Sequence, residues 1–424
     1  MEMPPHDSLR NDTTMHMEMG MPMSHAYSLH LPMSRNGSGT SWLADNSPMY
    51  GWMIHGKKWM YMVHGNLFLR YTHQDVTNEG TRGSEKWDAP NWAMLMGQRM
   101  IGANGLFHFN VMMSLDPLTE GGAGYPLLFQ TGESWNGTPL VDRQHPHDLF
   151  SELSVSYSYA LSEKADVFVY AGYPGEPALG SVAFMHRVSA LTNPDAPIGH
   201  HWNDATHITF GVATLGIRYG MFKLEGSSFT GREPDENRYD FDTPRFDSWS
   251  ARLSFSPSAA WTLQASHGFI HSPEALHPEE NISRTTASAN YSHSFSEESS
   301  VDLTALWGVN AIANHDAEHS LLAEGSVSEF RWNIYFRYEW LMKSGEELVL
   351  PEPEFSHDAL YSMGAGTIGI SYDVLHDMLL NVALGGQVSL YQPDIALRPL
   401  YGEHPVAAEV YLRIYPPRVM RMDR

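Results

Sequence analysis

Asp247-Ser248-Trp249-Ser250-Ala251-Arg252-Leu253-Ser254-Phe255-Ser256 alternates polar and apolar side chains at every step. In an extended chain successive side chains point to opposite faces, so Trp249, Ala251, Leu253 and Phe255 share one face. Ser248, Ser250, Arg252 and Ser254 share the other. One face suits lipid and the other suits water. After Pro257-Ser258, a turn signal, the pattern returns in Trp261, Leu263 and Ala265 against Thr262, Gln264 and Ser266. Upstream, Leu153, Val155, Tyr157 and Tyr159 oppose Ser154, Ser156 and Ser158. Downstream, Ile334, Phe336 and Tyr338 oppose Asn333, Arg337 and Glu339, and Val410, Leu412 and Ile414 oppose Glu409, Tyr411 and Arg413.

A soluble β-sandwich alternates in the same way, so connection lengths must separate the two architectures. Alternating segments near 58–72, 91–101, 105–115, 149–161, 165–173, 206–219, 221–230, 247–256, 260–269, 283–295, 299–310, 319–328, 331–341, 362–373, 378–391 and 406–415 number sixteen. The connections between them alternate short and long throughout, as at Glu163-Lys164 and Pro257-Ser258 against 116–148 and 174–205. Short turns on one side, long loops on the other and an even strand count are the marks of an outer-membrane barrel. The expected fold is therefore all-β: a transmembrane antiparallel up-and-down β-barrel of about sixteen strands, with long extracellular loops and short periplasmic turns. It is expected in the bacterial outer membrane with both termini periplasmic. Sixteen strands are enough to enclose an aqueous lumen, so a channel for small solutes is expected.

Composition agrees. No stretch approaches the roughly 18 to 20 uninterrupted apolar residues of a membrane-spanning helix, while 12% of the 424 residues are aromatic, with 12 Trp and 20 Tyr to furnish interfacial girdles. A formal net charge of -23 excludes a nucleic-acid binder that works by phosphate neutralisation. Cysteine is absent, so no disulfide, thiolate nucleophile or Cys-based zinc site arises. The chain opens on Met1-Glu2-Met3-Pro4-Pro5 with neither a basic nor an apolar leader, so any export signal is expected to have been removed already. The expected organisation is a Met/His-rich flexible N-terminal extension over 1–56, the barrel over 57–416 and a short C-terminal tail over 417–424.

Two regions carry metal-binding chemistry. The extension places Met15, His16, Met17, Met19, Met21, Met23 and His25 in one short tract, and eight of the 24 methionines fall in the first 33 residues. Thioethers favour Cu(I) and imidazoles favour Cu(II), so the tract suits copper in either state. The competing reading is a disordered tail of a Met-rich protein. The second region is Val141-Asp142-Arg143-Gln144-His145-Pro146-His147-Asp148, where Pro146 biases His145 toward extended geometry and period-2 spacing aims His145 and His147 to one side. Asp142 or Asp148 is the candidate third ligand for Cu or another divalent cation. The neighbouring long loop adds His186, His200, His201 and His207, and neighbouring outer loops of one barrel lie close together. The alternative is an inward-folded plug in which the same histidines hydrogen-bond to acidic partners. Acidic outer loops, as at Glu233, Asp235 and Glu236, suit divalent cations or lipopolysaccharide.

Arg70, Arg218, Arg252, Arg331, Arg337 and Arg413 are expected to face the lumen with Glu152, Glu225, Glu339 and Glu409, bracing the wall if paired and setting ion selectivity if not. A rim hydrolase is the enzymatic alternative, but Ser266-His267 and Ser292-His293-Ser294 are strand neighbours that point to opposite faces, so no catalytic residue is expected. The expected partners are outer-membrane lipids and lipopolysaccharide, metal ions, and a second copy of the chain or a periplasmic protein. A plugged scaffold without transport is the remaining alternative.

Two resemblances bear on these expectations. The Met15–His25 tract resembles the Met/His-rich extension of copper-resistance protein B, an outer-membrane barrel, over that stretch alone. The phrases VDRQHPHDLF, AFMHR, HHWNDATHITFG and GREPDENR resemble those of a family of bacterial outer-membrane proteins. That likeness runs from about residue 40 and implies a location without implying a reaction.

Overall fold

The computed structural model describes residues 24–419. Sixteen long strands, each antiparallel to the next, close into one barrel. In chain order they are β1 (Met60–His73), β2 (Asn91–Ile101), β3 (Gly105–Met113), β4 (Phe150–Ser162), β5 (Ala165–Gly172), β6 (Val212–Tyr219), β7 (Phe222–Phe229) and β8 (Ser248–Ser258). They continue with β9 (Trp261–His271), β10 (Asn281–Ser294), β11 (Ser299–Ile312), β12 (Glu318–Glu329), β13 (Trp332–Ser344), β14 (Leu360–His376), β15 (Asn381–Pro393) and β16 (Val406–Tyr415). β16 closes on β1 in register from Ala408 opposite His73 to Ile414 opposite Leu67. Among the described strands no sheet edge is left along the wall, which a strand bundle in lipid requires.

The alternation in sequence becomes alternation in burial. Along β6, Val212, Thr214, Gly216 and Arg218 are buried and Ala213, Leu215, Ile217 and Tyr219 are exposed. The outward face carries Leu215, Leu224, Leu253, Ile334, Phe336, Ile368 and Val410. Near the short turns, aromatic pairs ring the outside: Phe222 with Phe255, Trp261 with Tyr291 and Trp332 with Tyr372, at centroid distances of 4.6, 4.8 and 4.6 Å.

Inward, charges pair across neighbouring strands. Arg218 meets Asp166, Arg252 meets Glu225 at 3.1 Å and Arg337 meets Glu324 at 3.0 Å, each pair directly opposite in the ladder. Arg70 reaches Asp88 at 2.8 Å and Asp195 at 2.6 Å, and Arg413 donates to Asn66 at 2.9 Å. The arginines brace the wall, with one exception. Arg331 sits in the short turn over the Phe330 ring instead of facing the lumen, because β13 begins only at Trp332.

The interior is filled. Arg70, Arg252, Arg284, Lys223 and Lys343 are fully buried, which wall side chains lining open water would not be. Three segments cover them. Residues 24–51, expected as part of a flexible extension, fold back into the lumen: Tyr27 packs on Phe168 at 4.9 Å, and Thr40 accepts from Lys223 through its carbonyl and from Arg252 through Oγ1 at 2.8 Å. Their apolar anchors, Tyr27, Met33, Trp42 and Leu43, follow no helix or strand period, so only the lumen gives them a core. The long connection 173–211 supplies the fully buried Trp202 and Arg187, and 114–149 supplies Phe129, packed on Tyr391 and Tyr401. β6 starts at Val212 instead of 206 because short helical turns over His200–Asn203 and Ala205–His207 occupy the preceding residues. Of the expected C-terminal tail, residues 417–419 pair back on 49–51 through Gly51 N to Pro417 O and Val419 N to Met49 O.

Candidate metal centre

The connection 173–211 enters the barrel, makes its turn of helix at His200–Asn203 against β10, β11 and β12, and is tied to the wall beside that turn by Arg187, as it is by Arg70 at Asp195. Arg187 is fully buried and donates to Asp204 at 2.7 Å and to Glu324 of β12 at 2.7 Å. The plug is thereby tied to the wall through a charge pair whose loss would leave an unpaired ion inside the barrel. Breaking such a pair costs about 3–5 kcal/mol.

Asp204 then organises two imidazoles. Its Oδ1 accepts from His200 Nδ1 at 2.6 Å and its backbone carbonyl from His207 Nδ1 at 2.7 Å. The same arrangement recurs with carboxylates from two other loops: His147 Nδ1 lies 2.7 Å from Asp116 Oδ2, His145 Nδ1 3.3 Å from Glu133 Oε2, and His201 Nδ1 3.5 Å from Glu233 Oε1. A carboxylate or carbonyl can only accept, so a neutral ring in this arrangement keeps its proton on Nδ1 and turns a lone pair outward on Nε2. The Nε2 atoms of His145, His147, His201 and His207 are buried without a hydrogen-bond partner among the described residues.

The rings converge. His200 lies 5.2 Å from His201 and 5.1 Å from His207 between centroids, His145 lies 5.6 Å from His201, and His147 lies 5.5 Å from His207. One ring nitrogen from each of His145, His200 and His201 falls within 4.8 Å of the others. Metal–nitrogen bonds of about 2.0–2.1 Å would draw these atoms closer together. Burial lowers the pKa of His145, His200 and His207, with the neighbouring imidazoles adding to it at His145 and His207 and Asp204 opposing it at His200. Asp204 is held below the usual carboxylate range: burial pushes it up, but Arg187 and His200 outweigh that. Neutral imidazoles backed by ionised carboxylates are the protonation states a cation needs.

Gly132 makes the close approach feasible. Its φ is +107°, and a Cβ there would stand 2.4 Å from His201 Nε2, so only glycine leaves the ring its position. Above the cluster opens a vestibule of about 580 Å³, with His201 and Glu233 in its lining. Thirteen carboxylate residues and four arginines line it, so its field draws cations toward the histidines.

The other expected ligands are placed elsewhere. Asp142 is a structural clamp, not a ligand of this cluster: its φ of 54° turns the carboxylate to accept from Phe129 N at 2.7 Å, Tyr401 at 3.1 Å and Arg82 at 3.3 Å. Asp148 pairs with Arg238 at 3.3 Å. His186 leaves the cluster and packs on His64 and Trp92, at 5.8 and 4.7 Å. His25 is buried beside Trp42 and Tyr27, with Nδ1 accepting from Tyr27 N. Met15, His16, Met17, Met19, Met21 and Met23 lie outside the described residues. Asp116 and Glu133, which hold His147 and His145 from behind, escaped the sequence reading, and Glu233 stood there only as an acidic loop residue, because the pairing of each with its ring joins positions apart in the chain. Ser266 faces inward, bonding Gly180 N and Thr286, while His267 is exposed and bonds Thr285, so the two share no face.

No protein-family model matches the chain, and no curated protein matches it in sequence. Among solved structures it is similar to the anion-selective porin from Comamonas acidovorans, at 10% identity and a TM-score of 0.50, over 85% of this chain and 99% of that one. It is also similar to Salmonella typhi OmpF in complex with daunomycin, at 10% identity and a TM-score of 0.51, over 86% of this chain and 100% of that one. The chain thus has the closed antiparallel β-barrel fold of the outer-membrane porins.

Proposed function

We propose that this barrel is a non-enzymatic cation-handling protein that captures a borderline divalent ion, Cu(II) or Zn(II), from the external side at His145, His200 and His201. In this reading the long loops and the acidic vestibule face outward. The observation that carries this reading is the repeated tether: five converging imidazoles, each with Nδ1 held by a carboxylate or a carbonyl, four with a buried Nε2 left unpaired. Buried polar atoms normally find a partner, and a set of convergent exceptions marks a missing one. A ring backed by a carboxylate is the usual form of a histidine metal ligand.

Calorimetry of the detergent-solubilised full chain with Zn(II) and Cu(II) tests the reading. Saturable binding should fall to background in the H145A/H200A/H201A variant and persist in H267A, whose ring is on the lipid side. Equal affinity in both variants and the parent would overturn it.

A further inference from the structure

The inner wall is not uniform. On β8 the inward positions are Ser248, Ser250, Arg252, Ser254 and Ser256. On β1, β2 and β3 the same face carries methionine. The register sets these residues in rows: His64 opposite Met94 opposite Met112, and Met62 opposite Met96. Met33 from the N-terminal segment and Met185 from the connection 173–211 close over them, with Met49 at the margin. Met33, Met49, Met62, Met94 and Met96 border a cavity of about 90 Å³ together with His64 and His186.

Methionine fills irregular gaps in apolar cores, and Leu43, Trp92, Val188 and Leu191 supply apolar lining here. The lining is not wholly apolar, since Asn66 and Arg413 share it, and Gln98, His108 and Asn110 hold neighbouring wall positions. His64 Nε2 is buried without a hydrogen-bond partner among the described residues. Five elements of the chain therefore bring uncharged soft donors and one unpaired imidazole nitrogen to a single small chamber.

We propose that this chamber is a second metal site, taking a soft monovalent cation, Cu(I) or Ag(I), through the thioethers of Met62, Met94 and Met96 and the imidazole of His64. Thioether sulfur selects such ions, and divalent zinc gains little from uncharged sulfur donors. The site is distinct from the histidine centre and does not depend on it. The two are neighbours: a cavity lined by His145, His147, Phe184 and Met185 shares Asn66, Trp92 and Leu191 with the methionine chamber.

The test is NMR of the full chain labelled with methyl-13C methionine, titrated with Ag(I), which involves no change of oxidation state. The methyl resonances of Met62, Met94 and Met96, assigned by single Met→Leu variants, should shift saturably with Ag(I) and stay fixed with Zn(II). The M62L/M94L/M96L variant should bind one Ag(I) fewer per chain and keep its Zn(II) affinity, with heat-modifiable migration on gels reporting its barrel. Chamber methyls that stay fixed at saturating Ag(I), while other methionines shift, would overturn the proposal. So would an unchanged Ag(I) count in a folded triple variant. If that variant does not fold, the parent's own methyl shifts decide. Failure of Zn(II) binding at the histidines would leave this result untouched.

Discussion

At the histidine centre every ring is held from behind, by Asp204, Asp116, Glu133 or Glu233, whereas in the methionine chamber the thioethers are placed by strand register and packing alone. The first device fixes a tautomer and surrounds the donors with negative charge, which suits a divalent ion. The second offers polarizable, uncharged donors with freely turning methyl ends, which suits a soft ion that accepts irregular geometry. One barrel thus presents two kinds of coordination chemistry on neighbouring parts of its filling. The difference teaches that the filling of a wide barrel can be ordered by two devices, ionic partners that hold a ring from behind and strand register that sets side chains in rows.

Removing a tether should separate the two regions most sharply. Asp204→Asn keeps the shape but weakens the hold on His200 and leaves Arg187 with Glu324 alone. Zn(II) affinity measured by calorimetry should drop about 10–100-fold, with Ag(I) shifts at the chamber unchanged. An equal loss at both regions would erase the distinction.

Acidification should act next, at the histidine centre. Burial holds His145 and His207 below the ordinary imidazole value, so the packed loops exclude protons that opened loops accept. Above pH ~6.5 neither state is protonated and these rings contribute nothing; below it the opened state gains about 1.4 kcal/mol per ring for each pH unit. Hydrogen exchange over residues 200–207 of the metal-free protein should show less protection at pH 5.5 than at 7.5, after correction for intrinsic rates. Equal protection would contradict the neutral buried rings.

The smallest effect is expected at Asp142. Asp142→Asn should leave Zn(II) affinity unchanged while costing about 1–3 kcal/mol of local stability, since it disturbs the bonds to Phe129, Arg82 and Tyr401. A tenfold loss of metal affinity would return Asp142 to the ligand set.

The wall was legible because lipid outside and polar filling inside impose period 2 on every strand, so all sixteen strands could be located before their pairing was known. The filling was not. Residues 24–51 and 173–211 have no regular period, and their core exists only once the barrel encloses it. The histidine phrases stood out at 145–147 and 200–207, yet nothing local says that Asp116 backs His147 or that Gly132 yields room to His201. The methionines of β1, β2 and β3 read as ordinary strand residues until register set them in rows.

The most direct measurement is anomalous diffraction from crystals of the full chain soaked in Zn(II), collected above and below the zinc edge. An anomalous peak bonded to His145, His200 and His201 beneath the acidic vestibule is the predicted result. Saturated crystals with no peak there, and zinc bound only to surface carboxylates, would contradict the account.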